Sequence, residues 1–304
     1  MEKSLDVSII IVNYNTKDLT RNCLKAVFEQ TKNISFEVIV SDNGSNDGSI
    51  EMIKSEFPQV ILIENNENLG FGAANNCGLK IAKGKYIFYL NSDTVLLNNA
   101  AKIFFEYWEN SPEKEKIGAL GGVLQDENGN LIHSGGEFPK YSSICKERFS
   151  ELVHSCAKYL LLKLHLERLY IFSRKEIESE RVIPGEVDYV TGADLFMFND
   201  RFAEFDERFV LYYEETDLQM TLRKLTGKKS FLIDGPKIIH LLYKGRTEKI
   251  KFETFSTFHN KVSSILYFEK YGKKTSLLNF LNRLIFLLPP NKRWREEYKE
   301  AIHK

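Results

Sequence analysis

Over the first hundred residues, apolar runs alternate with mixed segments. Val7–Val12, VSIIIV, holds one serine among five β-branched residues, the pattern of a strand buried on both faces of a parallel sheet. NTKDLTRNCLKAVFEQT follows, with Leu19, Cys23, Ala26 and Val27 at helical spacing and Asn15 or Thr16 placed to cap the start. FEVIV and VILIEN predict two further strands around a short helix, SIEMIKSEF. NLGFGAANNCGLKIAKG predicts a helix opened by glycines and closed by Gly84, ahead of a strand over Tyr86–Leu90. A helix is expected near Val95 to Tyr107. Such alternation implies a parallel sheet with right-handed crossovers.

Polar residues follow each strand: Asn13-Tyr14-Asn15, Asp42-Asn43-Gly44, Glu64-Asn65-Asn66 and Asn91-Ser92-Asp93. In parallel α/β sheets ligands bind outside the carboxyl ends of the strands. One such exit reads as an ordinary turn; four on one edge point to a binding site.

The second half is less regular. IGALGGVL predicts a strand, ENGNLIHSGGEF a hairpin or loop, and residues 142–174 a helical stretch. VDYVTGADLFMF reads as a strand pair or a strand broken at Thr191-Gly192. EETDLQMTLRKLTG has acids in its first turn, basic residues near its end and Gly227 as a stop, all marks of a helix. KSFLID and KIIHLL are short strands, and two helices are expected from Phe252 onward.

Composition narrows the class. The 304 residues carry 42 basic and 42 acidic side chains, so nothing suggests a general nucleic-acid binder. None of the four cysteines forms a CxxC pair, which argues against a zinc or redox motif and fits a reducing, cytoplasmic compartment. The N-terminal apolar run is too short for a signal peptide, and no run is long enough to predict a membrane span.

Asp93, at a strand end, suits a hard divalent cation, Mn²⁺ or Mg²⁺, shared with a phosphate-bearing ligand; Asn91 adds a carbonyl oxygen or orients a water. The competing reading makes Asp93 a helix cap. His240, after a late strand, reads as either a ligand or a structural histidine.

In order and spacing, VSIIIVNYN, VIVSDNGSNDGS, NLGFGAANNCGL, YLNSDT, VTGADLFMF and FDERFVLYYEETDLQMTLRKLTG resemble family 2 glycosyltransferases, close to the rhamnosyltransferase-like branch of bacterial polysaccharide synthesis. The resemblance spans roughly Val7 to Gly227. It implies an α/β, GT-A (Rossmann-like) fold: a mostly parallel central sheet flanked by helices, over residues 1–250. The nucleotide-sugar half would cover about 1–125 and the acceptor half about 126–250, with a helical extension at 251–304. It implies donor contacts at Asn13, Tyr14, Asn15, Asp42, Asn68, Gly70, Ala74, Asn91 and Ser92, with Lys244 and Arg246 closing on the diphosphate. Asn91-Ser92-Asp93 stands where the family has DxD, its first acid replaced by Asn, and metal ligation falls to Asp93 and His240. Thr191, Gly192, Ala193 and Asp194 would shape the acceptor pocket. Glu214-Glu215 stands where the family has Glu-Asp, making Glu215 the base, with Glu214 and Asp217 behind it.

The activity implied is inverting transfer of a sugar from dTDP-rhamnose or a UDP-sugar to a hydroxyl of a glycan or lipid-linked glycan. The rival readings are a non-catalytic sugar-nucleotide binder and a sugar nucleotidyltransferase. The second lacks support, because Asn-Tyr-Asn replaces the basic glycine-rich loop such enzymes carry. TSLLNFLNRLIFLLPPNKRWR places Leu277, Leu281, Leu284, Ile285 and Leu288 at helical spacing between basic flanks. It reads either as a helix lying on the inner face of the membrane or as one packed on the domain or on a partner chain, such as a second copy.

Overall fold

The computed structural model describes residues 5–164, 183–241 and 249–288, with residues 298 and 301. The chain divides into two compact units. The first comprises Met1–Phe138, Ser179–Val210 and Glu214–Lys249; the second comprises Pro139–Glu178, Leu211–Tyr213 and Ile250–Lys304.

In chain order the elements begin β1 (Leu5–Asn13), α1 (Lys17–Gln30), β2 (Phe36–Asp42), α2 (Ser49–Glu56), β3 (Ile61–Glu64), α3 (Phe71–Leu79) and β4 (Gly84–Asn91). There follow β5 (Thr94–Leu96), α4 (Ala100–Asn110), β6 (Ile117–Gly122), β7 (Gly135–Gly136), α5 (Tyr141–Lys163), β8 (Gly185–Val187), β9 (Tyr189–Val190) and β10 (Asp194–Phe198). The last are α6 (Glu214–Thr226), β11 (Lys229–Ile233), β12 (Ile238–His240), α7 (Lys249–Lys270) and α8 (Ser276–Ile285).

An eight-stranded sheet with the order β3-β2-β1-β4-β10-β6-β11-β8 forms the first unit's centre. β3, β2, β1 and β4 run parallel, as do β6 and β11. β10 runs antiparallel between β4 and β6, and β8 antiparallel at the edge. The apolar runs are explained by burial on both faces. Val7, Ile9, Ile11, Tyr86, Phe88 and Leu90 join Leu24, Val27, Phe104 and Trp108 in one core. Ile10, Ile39, Ile87 and Tyr89 join Phe205, Leu218 and Leu222 in the other. Phe196 of β10 stacks on Tyr86 at 5.1 Å and on Phe104 at 5.4 Å, contacts worth about 0.5–1.5 kcal/mol each beyond burial.

Three local expectations change. Gly84 does not close a helix; α3 ends at Leu79, and Gly84 begins β4, where an added Cβ would lie 2.3 Å from the Ser8 backbone N. The helix expected near Val95 starts at Ala100, with Asn99 accepting from the Lys102 N–H; Thr94–Leu96 instead pairs with β12. Thr16 precedes α1 but turns its hydroxyl to Asn13, and Asp47 accepts the Lys17 N–H at 2.9 Å.

The second unit is helical, built on α5, α7 and α8. Lys261 of α7 is almost fully buried and pairs with Glu151 of α5 at 2.8 Å. Among the described residues no helix is long and apolar enough to cross a membrane.

Candidate active site at the carboxyl ends of the strands

The register brings the polar exits to one edge: Asn13 lies beside Asp42, Asp42 beside Glu64, and Val12 beside Asn91. On the β1–β3 side these residues form a self-satisfied network. Asn13 is fully buried, donates to Asp42 at 2.5 Å and to Ser45 at 3.0 Å, and accepts from Thr16 and Thr20. Asp42 is fully buried and also accepts the Ser45 N–H. Asn15 takes a positive φ of 52 and accepts the Asn46 N–H, while Tyr14 is 47% exposed. Asn43, Asn65 and Asn68 are linked in turn: Asn65 donates to Asn43, and Asn43 to Asn68 and to the Gly70 carbonyl. Gly70 has a φ of +88, and a Cβ there would meet the Val210 carbonyl oxygen at 2.6 Å. Ala74 is fully buried one turn into α3.

The β4 exit is built differently. β5 and β12 pair antiparallel, setting His240 opposite Thr94. The Leu241 N–H donates to the Asp93 carbonyl, and the His240 N–H to the Gln125 carbonyl. As a result Asp93 Oδ1 lies 3.2 Å and Asn91 Nδ2 3.4 Å from the same atom, His240 Nε2. Ser92 Oγ is 3.2 Å from the Thr16 hydroxyl. Cys23 packs beneath against Thr94 and the Asn91 carbonyl, and burial pushes its thiol up to about 12, so it stays neutral and outside the ligand set.

The donor chemistry of Asp93 and His240, one carboxylate and one imidazole, fits a first-row divalent ion such as Mn²⁺ better than Mg²⁺, which favours oxygen alone. Two ligands of one octahedral ion at ~2.1 Å lie roughly 3.0 Å apart, close to the observed pair. Among the described residues no three His, Cys, Asp or Glu side chains converge as a complete set, so an ion held by this pair would need further ligands such as phosphate oxygens and water.

Thr191–Asp194 joins this exit to the acid helix. The Ala193 carbonyl accepts the Asn91 N–H at 3.0 Å. A Cβ on Gly192 would lie 3.2 Å from Phe71 Cε1 and 3.7 Å from Glu215 Cβ, so the absent side chain leaves α3, α6 and the β4 exit in touch. Asp194 is fully buried; one oxygen accepts the Gly122 N–H at 2.6 Å, and burial holds its carboxyl well above the usual range.

At the start of α6, Glu214 and Asp217 are buried and Glu215 is half-buried. Burial, then the Glu215 charge, pushes the Glu214 carboxyl well up; burial also raises Glu215. Burial and the Glu215 charge together bring the Tyr189 hydroxyl to about 12. Glu214 Oε2, Asp194 Oδ1 and the Thr191 hydroxyl have no hydrogen-bond partner among the described residues. Tyr212 and Tyr213, just before α6, both have positive φ (67 and 69), costing about 1–3 kcal/mol each. Such orphaned polar groups concentrate at functional sites.

Sequence reading passed over three participants. Asn43 and Asn65 stood in the exits with no sign of their mutual bonding, and Phe71 was given no role. Lys244 and Arg246 lie outside the described residues.

A mostly parallel central sheet flanked by helices, with one antiparallel strand between its two parallel parts, is the GT-A fold. Two solved structures share the fold over 99% of this chain at 14% identity. They are a mannosyltransferase from Pyrobaculum calidifontis in complex with GDP-Man and Mn²⁺ (TM-score 0.55, 74% of that chain) and GalNAc-T7 with UDP, GalNAc and Mn²⁺ (0.54, 58%). Residues 8–159 match the model of glycosyl transferase family 2, and the chain belongs to that family.

Its curated relatives include an uncharacterised glycosyltransferase of Methanocaldococcus jannaschii, 33% identical over 50% of this chain and 53% of the relative. An Escherichia coli UDP-Glc:α-D-GlcNAc-diphosphoundecaprenol β-1,3-glucosyltransferase is 40% identical over 36% of this chain and 48% of the relative. A poly(ribitol-phosphate) β-glucosyltransferase of Bacillus spizizenii is 32% identical over 39% of this chain and 20% of the relative. The chain thus matches about half the length of the first two and a fifth of the third.

Proposed function

We propose that the protein is an inverting glycosyltransferase that moves a sugar from a nucleotide diphosphate to a hydroxyl of a glycan or lipid-linked glycan. The observation that carries this reading is the convergence of Asp93 and Asn91 on His240 Nε2, joined through Ala193 and Gly192 to Glu215. It is supported by the nucleotide-sugar ligands of the two fold neighbours and by the transferase names of the relatives.

Asp93 and His240 would hold a divalent ion, which when bound spreads the charge of the departing diphosphate. Tyr14 and Asn15 contact the nucleotide beside a base-reading edge kept in place by Asp42 and Asn13. Asn68, Gly70 and Ala74 line the donor along α3, and Asn91 and Ser92 orient its phosphates. Thr191 and Gly192 admit the acceptor, and Ala193 and Asp194 fix that segment. Glu215, half-buried with a raised carboxyl, takes the acceptor proton as the oxygen attacks the anomeric carbon opposite the diphosphate. A base tuned towards neutral pH suits that task. Glu214 and Asp217 support it. The donor is a UDP-sugar or dTDP-rhamnose; the glucosyl names among the relatives favour UDP-glucose as the first to try.

A thermal-shift screen of UDP- and dTDP-sugars with and without Mn²⁺ tests the reading, because a ligand bound by the native state alone raises stability with its saturation. Metal-dependent stabilisation, followed by release of the nucleoside diphosphate on turnover, is expected. Stabilisation without turnover on any acceptor identifies a non-catalytic binder, and no stabilisation by any sugar nucleotide overturns the assignment.

A further inference from the structure

The second unit carries a surface the proposed chemistry does not use. In α8 the apolar positions divide between two faces. Leu278, Leu281 and Ile285 are buried, whereas Leu277 and Phe280 are 53% and 57% exposed, with Leu287 at 43% just beyond the helix. A helix packed only on its own domain shows one apolar stripe and a polar opposite face. Here the outward face is apolar too, with Leu284 half-buried along the same row.

In the sequence that carries this row the charges have one sign. Lys273 and Lys274 are exposed just before α8, and Arg283 is exposed beside the row. From Tyr271 through Pro290 the sequence contains no acidic residue. The nearest acid in sequence, Glu269, accepts the Thr275 hydroxyl at 2.5 Å. The exposed row on α5, which includes Phe149, Val153 and Leu160, lacks this bias, because Glu147 and Glu151 accompany its lysines.

We infer that the outward face of α8 docks the protein on a membrane surface bearing anionic headgroups. Leu277 and Phe280 enter the headgroup boundary, and Lys273, Lys274 and Arg283 lie against the lipid phosphates. Exposed aliphatic and aromatic groups on one side of a helix with cations at the margin are the requirements of interfacial binding, and the charge term makes it salt-sensitive. The inference stands on the second unit alone and does not depend on which sugar is transferred.

Flotation of the purified full chain with vesicles of phosphatidylcholine, with and without phosphatidylglycerol, tests it. Binding to the anionic vesicles is expected, weakening as salt rises. The double variant Leu277→Ser/Phe280→Ser should reduce partitioning roughly tenfold or more, since each loses apolar area that would leave water. Because each of these residues is more than half exposed in the fold, its circular dichroism and Tm should stay close to the parent's. A second variant, Lys273→Gln/Lys274→Gln, should lose the preference for anionic vesicles while keeping the fold. Absence of binding to anionic vesicles overturns the inference, as does binding unchanged in both variants. A parent dimer that becomes monomeric in Leu277→Ser/Phe280→Ser also overturns it, because a second copy would then cover the face. Metal-dependent stabilisation by a sugar nucleotide should be equal in parent and variants, which separates this test from that of the proposed activity.

Discussion

The two sides of the sheet's carboxyl edge handle polar groups in opposite ways. Around β1–β3, Asn13, Asp42, Asn43, Asn65 and Asn68 spend their hydrogen bonds on one another and on nearby backbone. Around β10 and α6, Asp194, Glu214 and Thr191 each keep a buried polar atom without a described partner. A satisfied network makes a rigid cradle whose shape is set before a ligand arrives. Orphaned carboxyls with raised pKa values cost stability and remain available for proton chemistry. The first side is therefore expected to answer substitution with lost stability and the second with lost turnover.

The largest effect should come from Asp93→Ala. It removes the carboxylate partner of His240 and one of two candidate protein ligands, and a metal's charge stabilisation is worth several kcal/mol. Turnover should fall about a thousandfold or more, while Mn²⁺-dependent thermal stabilisation disappears. Near-parental kcat with intact metal response would remove Asp93 from the reaction. Glu215→Gln should cost about a hundred- to ten-thousandfold in kcat, the range of a general base, with little change in Tm. If Glu214→Gln costs more than Glu215→Gln, the base belongs to the deeper residue.

On the cradle side, Asn13→Ala leaves the Asp42 carboxylate short of a donor and the Thr16 and Thr20 hydroxyls short of an acceptor. Each buried group so stranded costs about 1–3 kcal/mol, and mutual relaxation keeps the sum from adding fully. A loss near 3 kcal/mol in denaturant unfolding is expected. A loss below 1 kcal/mol would show that water re-satisfies the network and that the cradle is less rigid than its bonds imply.

How much of this contrast was readable in advance depends on chain separation. The strands announced themselves because burial on both faces demands unbroken apolar runs, as in Val7–Val12 and Tyr86–Leu90. The polar exits followed from the rule that parallel strands end on one edge. The pairing of Asp93 with His240 came from the family resemblance, and the local pattern alone did not show it. It depends on β5 meeting β12, two three-residue strands far apart in sequence, one of them inside a segment whose pattern suggested a helix. The Asn43–Asn65–Asn68 chain was hidden for a related reason: asparagine after a strand looks the same whether it makes a turn or bonds to another asparagine. Gly84 misled because glycine marks a helix stop as often as a close approach, and only the distance to Ser8 separates the two.

The acid side should also make stability depend on pH. Asp194 and Glu214 hold carboxyls well above their usual range, chiefly by burial, so above the ordinary carboxylate pKa the folded chain binds more protons than the unfolded one. Their contribution is present in full below the ordinary carboxylate pKa and declines as pH rises towards the folded values. Unfolding free energy should therefore fall as pH rises above the ordinary carboxylate range, at up to about 1.4 kcal/mol per pH unit for each such group. Asp194→Asn keeps an acceptor for the Gly122 N–H and cannot ionise, so it should flatten the slope and be more stable than the parent at the alkaline end. An unchanged slope would mean that Asp194 is ionised in the fold, with a partner for its second oxygen.

The smallest effect, and the sharpest test of where the two sides meet, is Gly192→Ala. Its φ is not in the left-handed region, so the added methyl carries no backbone strain. It would stand 3.2 Å from Phe71 Cε1, tighter than an ordinary contact, and 3.7 Å from Glu215 Cβ, which is not. The ring must yield a few tenths of an ångström. Phe71 lies edge-on to Phe205 at 6.0 Å, a loose contact that allows such a shift. Overpacking that moves one ring should cost about 1 kcal/mol or less. The methyl also stands between Phe71 of α3 and the proposed base. A rise in KM for the acceptor, with kcat and donor affinity nearly unchanged, is expected if that space admits the incoming hydroxyl. A rise confined to the donor would assign Gly192 to the cradle and move the meeting point of the two sides towards α6.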